Sequence, residues 1–443
     1  MFKKDINLST LLKITILLIV ISVTGLLTIN SVIGGVIGFC VLTITAIFLV
    51  DFDVLHPYTW FSILFLLYST SAPILMLIGE TPESLYVHES LIVQWVAFST
   101  FLIVLGPRQR KLSLSPGTLY GLKAISNFIF AFSIIISSIS LLYIWMNGLG
   151  SKYDISLDNS IFSKLSFSYS FFILTYSIKL VYSIKLLEKL PYKLIVFSLS
   201  WGLLIIMISG DRDVFLRLLV VSFILINVLY INLSKLKLVI LSSIMIFLVP
   251  LLHYIKNVGV SGSTKFTSNS NILIDVLSQE FDSASSNFMT LLENKNGWGF
   301  LWGETLWWDF KRVFLSSFPN ITSTSPTVWF NNNFYPNIVE KGGGRGFSLV
   351  AEGYLNFGVF GSFLWFLLLG LFIRYLYKKA MNNILLLITY TLMIPIFMYT
   401  IRGDFSTLIT FFLNHIGLPI LIIYILKIFF ERDKYIKNHQ VLQ

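Results

Sequence analysis

Residues 11–50 read LLKITILLIVISVTGLLTINSVIGGVIGFCVLTITAIFLV, a run with a single charge, Lys13. A helix needs about 20 apolar residues to cross a bilayer. The polar pair Asn30-Ser31 divides this run into two such lengths, 11–29 and 32–50. They read as two spans joined by almost no loop. The first is not expected to be a cleaved leader, because it lacks a small-residue cleavage site and a second span follows at once. Cys40, the lone cysteine, excludes an intrachain disulfide and a Cys-rich metal site.

The rest of the chain repeats the pattern. Of 443 residues, 56% are hydrophobic and only 12% charged, with a mean hydropathy of +0.80. Soluble proteins carry roughly 25% charged residues, so no water-exposed surface could be built from this composition. A cytosolic enzyme, a disordered chain and a secreted disulfide scaffold are excluded. Further apolar stretches lie near 58–78, 89–105, 122–146, 165–187, 192–209, 214–232, 237–255, 347–373, 383–401 and 406–429. The expected fold class is therefore all-α, a polytopic membrane protein with about 12 transmembrane helices. Spans one to nine occupy 1–255, a long external loop 256–346, spans ten to twelve 347–430, and a tail 431–443.

The net charge of +10 is spread between hydrophobic runs rather than gathered in one patch, so it does not point to nucleic acid. Its distribution orients the chain. Lys3, Lys4 and Lys13, then Arg108, Arg110, Lys111 and Lys123, then Lys179, Lys185, Lys189 and Lys193 fall on one side. Lys235 and Lys237, Arg374, Lys378 and Lys379, and Lys427, Arg432, Lys434 and Lys437 join them there. The positive-inside rule makes that side cytoplasmic, with both termini on it.

Three short stretches then fall at the external face: Ser209-Gly210-Asp211-Arg212-Asp213, Lys341-Gly342-Gly343-Gly344-Arg345-Gly346 and Arg402-Gly403-Asp404. Each precedes an inward-running helix, whose positive dipole end favours an anion. Successive Gly amides form anion nests, and arginine adds a bidentate fork suited to phosphate. If the turns converge, Arg212, Arg345, Arg402, Gly343 and Gly344 bind a diphosphate. The competing reading is structural: Asp211, Asp213 and Asp404 cap helices and pair with the arginines.

Glu352 lies inside the start of span ten, two helical turns after Arg345 and on the same face. An acid at that depth needs a partner or a task. Glu352, Asp211, Asp404 and His253 are candidate bases, left unranked. Arg212 would compete with a cation between Asp211 and Asp213, and no two histidines stand at metal-ligand spacing, so no metal is expected.

Within the long loop, Ile272, Val276, Leu277, Phe281, Ala284, Phe288 and Leu291 predict an amphipathic helix over 271–292, on the membrane or on the bundle. Trp298, Trp302, Trp307, Trp308 and Trp329 also lie in the loop, beside Glu304, Asp309, Asn331, Asn332, Asn333 and Asn337. The tryptophans either anchor at the interface or stack on sugars, Trp302, Trp307, Trp308 and Trp329 being the sugar-binding candidates.

The run Gly342-Gly343-Gly344-Arg345-Gly346-Phe347-Ser348-Leu349-Val350-Ala351-Glu352-Gly353-Tyr354-Leu355-Asn356-Phe357-Gly358 resembles the segment after the large periplasmic loop in Wzy-type O-antigen polymerases. The turns at 209–212 and 402–404 resemble that family's other arginine-bearing positions, although Asp213 stands where a small residue is expected. The resemblance implies a bacterial inner-membrane glycosyltransferase that needs no cofactor. It would polymerise undecaprenyl-diphosphate-linked oligosaccharide repeat units at the periplasmic face, among membrane lipid, with a chain-length regulator and a flippase as partners. The alternatives are an O-antigen ligase, which uses the same kind of donor, and a lipid-linked oligosaccharide flippase. No internal repeat of the kind transporters carry is found.

Overall fold

The computed structural model describes residues 8–114, 123–149, 160–261, 274, 276–315, 324–340 and 343–428. Lys341, Gly342, Ile272 and the tail 431–443 lie outside the described residues. Those described form helices and connections, with no strand among them. Every apolar stretch named above falls on a helix. Nine described helices are long and apolar enough to cross a membrane. Of the other three, Ile384–Thr400 has only 17 residues. Ser168–Leu186 carries Ser, Tyr and Lys along its length and is buried on most sides, as suits a helix inside a bundle. The third is Lys235–Ser261.

The chain divides into two compact units. The first comprises Met1–Lys111, Ser268–Lys378 and Ile396–Thr410. It contains α1 (Leu8–Asn30), α2 (Val32–Leu49), α3 (Pro57–Leu77) and α4 (Val87–Leu105). Small residues let these helices approach closely; a Cβ on Gly25 would stand 2.7 Å from the Trp95 ring. Their core is aromatic. Phe61 and Phe101 stack with centroids 3.9 Å apart, Phe65 and Phe98 at 4.9 Å. Leu8, Leu11, Leu12 and Ile19 remain exposed, an apolar outer face that suits lipid and not water.

The second unit comprises Leu112–Thr267, Lys379–Pro395 and Phe411–Gln443. It contains α5 (Lys123–Met146), α6 (Ser168–Leu186), α7 (Tyr192–Ser209), α8 (Arg212–Ile226) and α9 (Lys235–Ser261). Gly202 of α7 faces Phe215 and Leu218 of α8, and Tyr176 of α6 bonds Ser222 of α8 at 2.5 Å.

The long loop is more structured than its polarity suggests. The helix expected over 271–292 is already helical at Ile274 and Val276, passes through a π turn at Leu277–Phe281 and continues as α10 (Asp282–Glu293). It packs on the bundle, with Phe281 against Tyr68 at 5.1 Å and Ser285 accepting the Ala72 N–H of α3 at 3.3 Å. Burial on several sides explains why polar Ser285 and Asn287 are 0% exposed. Both meet bonding partners, Asn287 through the Gly346 carbonyl. Among the shorter helices that follow are α11 (Glu304–Phe310) and α12 (Pro326–Phe334).

Span ten differs from expectation. α13 (Leu349–Ala380) is broken at Phe357 and at Gly358, whose φ of 61° and ψ of −146° suit glycine alone. Ser362 donates to the Val350 carbonyl at 2.8 Å. In a straight helix those positions would lie roughly 18 Å apart. Residues 349–356 therefore fold back on the long arm that follows. Gly353 and Gly361 make the return possible, since a Cβ on Gly353 would stand 2.7 Å from the Gly361 carbonyl. Glu352 thus sits on a short re-entrant piece, six residues before the turn. α14 (Ile384–Thr400) and α15 (Phe405–Phe412) follow, α15 running on through a π turn.

Candidate functional site

Three buried carboxylates from three elements meet in the first unit: Asp309 of α11, Glu352 of the re-entrant piece and Asp404 before α15. Glu352 and Asp404 are 0% exposed and Asp309 2%. Several bonds bring α11 to the break in α13. The Leu301 and Trp302 N–H groups donate to the Leu355 and Asn356 carbonyls at 3.0 and 3.2 Å. Gly303 N–H donates to Asn356 Oδ1 at 3.0 Å, and left-handed Gly303 (φ 92°) then starts α11.

The three acids are bonded very differently. Asp404 accepts the Thr407 N–H at 2.8 Å, the Ser406 hydroxyl at 3.0 Å and the Thr327 N–H at 3.2 Å, and pairs with Arg312 at 3.7 Å. Burial would raise its pKa, but these hydrogen bonds and the Arg312 charge outweigh burial and hold it below the usual carboxylate range. Glu352 accepts the Phe405 N–H at 2.7 Å and the Thr305 hydroxyl at 3.3 Å. Asn356 holds Thr305 in place at 2.7 Å. Neither oxygen of Asp309 receives a hydrogen bond from the described residues. Its neighbours are the Glu352 carboxyl, Asp404, Ser406 and Arg312. Ser406 spends its proton on Asp404. Burial first, then the Asp404 charge, pushes Asp309 up to about 7.

Arg312 stands beside the acids, and two further arginines lie in neighbouring turns of the same unit. Arg312, one helical turn after Asp309, is 37% exposed through its side chain and donates to Ser406 at 3.3 Å. Arg345 is exposed and stacks on Tyr335 at 4.6 Å. Its backbone is clamped by Asn331, which accepts the Arg345 N–H at 2.7 Å and donates to the Arg345 carbonyl at 2.9 Å. Arg402 stacks on Tyr399 at 4.9 Å. The turns of Arg345 and Arg402 do come together. A Cβ on Gly346 would stand 2.8 Å from the Arg402 carbonyl, and Leu349 N–H reaches the Ile401 carbonyl at 3.4 Å.

Other expected features are placed differently. Arg345 and Glu352 do not share a helix face, because α13 starts only at Leu349. The described glycines of the run, Gly343, Gly344 and Gly346, precede the start of α13 at Leu349, and the Gly343 N–H is already bonded to the Ile338 carbonyl at 2.9 Å. Gly344 lies beside Asn331 with room for a Cβ. Asp211 and Arg212 belong to the second unit, where Asp211 caps α8 by accepting the Asp213 N–H at 3.0 Å. His253 lies on α9, and its side chain is outside those described.

Of the four tryptophans expected to bind sugar, Trp302 and Trp307 are exposed, with Trp307 stacked on Phe310 at 5.4 Å. Trp308 is buried, donates to Glu304 at 3.2 Å and packs on Trp329 at 6.3 Å. Asp309 as an acid partner and Arg312 as a cation are what the reading of the residues missed. Their signal was a cluster of four charges, Glu304, Asp309, Lys311 and Arg312, inside an otherwise apolar, Trp-rich stretch, 298–315.

A family model described as O-antigen polysaccharide polymerase Wzy matches residues 117–434. No curated protein and no solved structure matches the chain.

Proposed function

This chain belongs to the O-antigen polysaccharide polymerase family Wzy, and on that premise we propose that it joins undecaprenyl-diphosphate-linked repeat units into O-antigen at the periplasmic face of the inner membrane. An acceptor hydroxyl oxygen attacks the anomeric carbon of the donor chain. The bond from that carbon to the lipid diphosphate breaks, and its electron pair leaves on the diphosphate. The hydroxyl proton passes to a carboxylate.

The residues divide the work as follows. Arg345, Arg402 and Arg312 meet the negative charge that grows on the departing diphosphate, where fixed donors help most. Asp309, with Glu352 beside it, takes the proton. Asp404 is the poorest base of the cluster, because its lone pairs are already engaged; it holds Arg312 and starts α15. Arg212, in the second unit, is assigned to a lipid diphosphate as well, since a polymerase handles two such carriers. Asp211 caps the helix that begins with that arginine, and His253 ranks below the buried acids.

The observation that carries this reading is Asp309: a carboxylate 2% exposed, with no hydrogen-bond donor at bonding geometry among the described residues, beside the Glu352 carboxyl and near Arg312. Leaving such a group unsatisfied is costly, and perturbed buried acids concentrate at reaction centres. A lipopolysaccharide gel of the host with this gene deleted tests the activity. Core bearing a single repeat unit, with ladders restored by the wild-type gene, is the expected result. Bare core would instead mean a ligase or a flippase.

A further inference from the structure

A cavity of about 350 Å³ opens in the first unit between α10 and α12, lined by Trp298, Trp329, Asn294, Asn296, Asn333 and Glu293, among others. This is within the range of small-ligand sites. Both indoles are fixed in orientation. Trp298 donates its ring N–H to the Leu291 carbonyl at 3.1 Å, so it offers a ring face rather than a donor. Trp329 is wedged between Trp308 and Phe334, with centroids at 6.3 and 6.0 Å.

The polar lining offers both acceptors and donors, as amides do. Asn294 and Asn333 each spend an amide N–H on their own helix, at 2.8 Å to the Thr290 and Trp329 carbonyls. Their side-chain oxygens stay available. Glu293 has one oxygen taken by the Ser84 hydroxyl at 2.6 Å. No Lys or Arg among the described residues lines the cavity. This combination disfavours an anion, and the amides disfavour a lipid tail. It suits a neutral polyhydroxyl ring, whose C–H face lies on an indole while its hydroxyls donate to amide and carboxylate oxygens.

The cavity is also joined to the acids. Thr327, at the start of α12, donates its N–H to Asp404, and Trp329 and Asn333 follow on the same helix. Six residues of helix, from Thr327 to Asn333, span roughly 9 Å. Trp308, which packs on Trp329, immediately precedes Asp309.

We propose that the Trp298–Trp329 cavity is a saccharide subsite, holding an uncharged sugar ring of the repeat unit away from the bond being formed. That this sugar belongs to a polymerase substrate rests on the function proposed above; that the cavity binds sugar does not. The test uses the detergent-purified full chain and lipid-free O-chain oligosaccharide, released by mild acid from the host's own lipopolysaccharide. Saturation-transfer NMR reads binding. Wild type and Arg345→Ala are expected to bind alike, while Trp298→Ala, Trp329→Ala and Asn333→Ala bind about tenfold more weakly, the loss of roughly one stacking contact. Trp298→Phe, which keeps the cavity wall, gives an intermediate affinity and guards against a folding artefact. Unchanged binding by folded Trp298→Ala and Asn333→Ala, or no binding by wild type, overturns the subsite. Retained binding in a protein whose deletion leaves O-antigen ladders intact would support the subsite and sink the polymerase reading instead.

Discussion

Two turns of this chain are written in nearly the same residues. Gly210-Asp211-Arg212 and Arg402-Gly403-Asp404 each place a glycine, an arginine and an aspartate at a helix start. In the second unit, Asp211 is half-buried and caps α8. In the first, Asp404 is fully buried and receives bonds from α12 and α15 and the Arg312 charge. The residues of the turn do not make this difference. The long loop does, by laying α11 and α12 over one turn and delivering Asp309, Arg312 and Thr327. A short motif reports a capped helix start; what packs above it decides whether a reaction centre can form.

The largest effect expected from this contrast is at Asp309. Asp309→Asn keeps the shape and removes the base, so polymerisation should fall by about 10²–10⁴-fold. Wild-type activity should climb as pH rises through about 7, where Asp309 ionises, and the residual activity of the variant should lose that rise. A rate profile with lipid-linked repeat units as substrate checks both. Arg345→Ala comes next, at about 10²-fold or more. Arg345→Lys should recover little, since it keeps the charge and loses the fork. Gel ladders from complemented cells read this directly.

The stability of the two aspartates gives a smaller and sharper comparison. Asp404→Ala removes a cap and leaves Arg312 without its partner, at a cost of about 3 kcal/mol, lessened by the partial exposure of Arg312. Asp211→Ala should cost about 1 kcal/mol, as for an ordinary cap. Thermal unfolding in detergent separates them, and equal losses would remove the distinction drawn here.

The smallest effects concern pH and packing. Because the pKa of Asp309 is raised, the stability linked to it is full below its ordinary value and is lost as pH rises to about 7. Asp309→Asn should therefore melt with less dependence on pH between 5 and 8 than wild type. Gly346→Ala places a methyl 2.8 Å from the Arg402 carbonyl. It should push the two arginine turns apart and slow polymerisation several-fold, at about 1 kcal/mol.

Much of this was legible in the residues. Apolar runs located the nine described helices long and apolar enough to cross a membrane, and the turns at 345 and 402 are marked in the sequence by arginine and glycine. Glu352 stood out because an acid in an apolar run needs a reason. The break in α13 was not legible, since Gly353, Gly358 and Gly361 read equally well as small residues of one helix. It takes the contact of Gly353 with Gly361 to show the chain reversing. Asp309 and Arg312 were hidden for a related reason. They lie in a loop without apolar periodicity, and their burial comes from residues far along the chain.

The most direct measurement is chain extension by the purified protein in proteoliposomes supplied with lipid-linked repeat units. Wild type should build long chains, while folded Asp309→Asn, still able to bind oligosaccharide, should leave single units. Long chains from that variant at the wild-type rate would contradict the buried acid pair as the seat of the reaction.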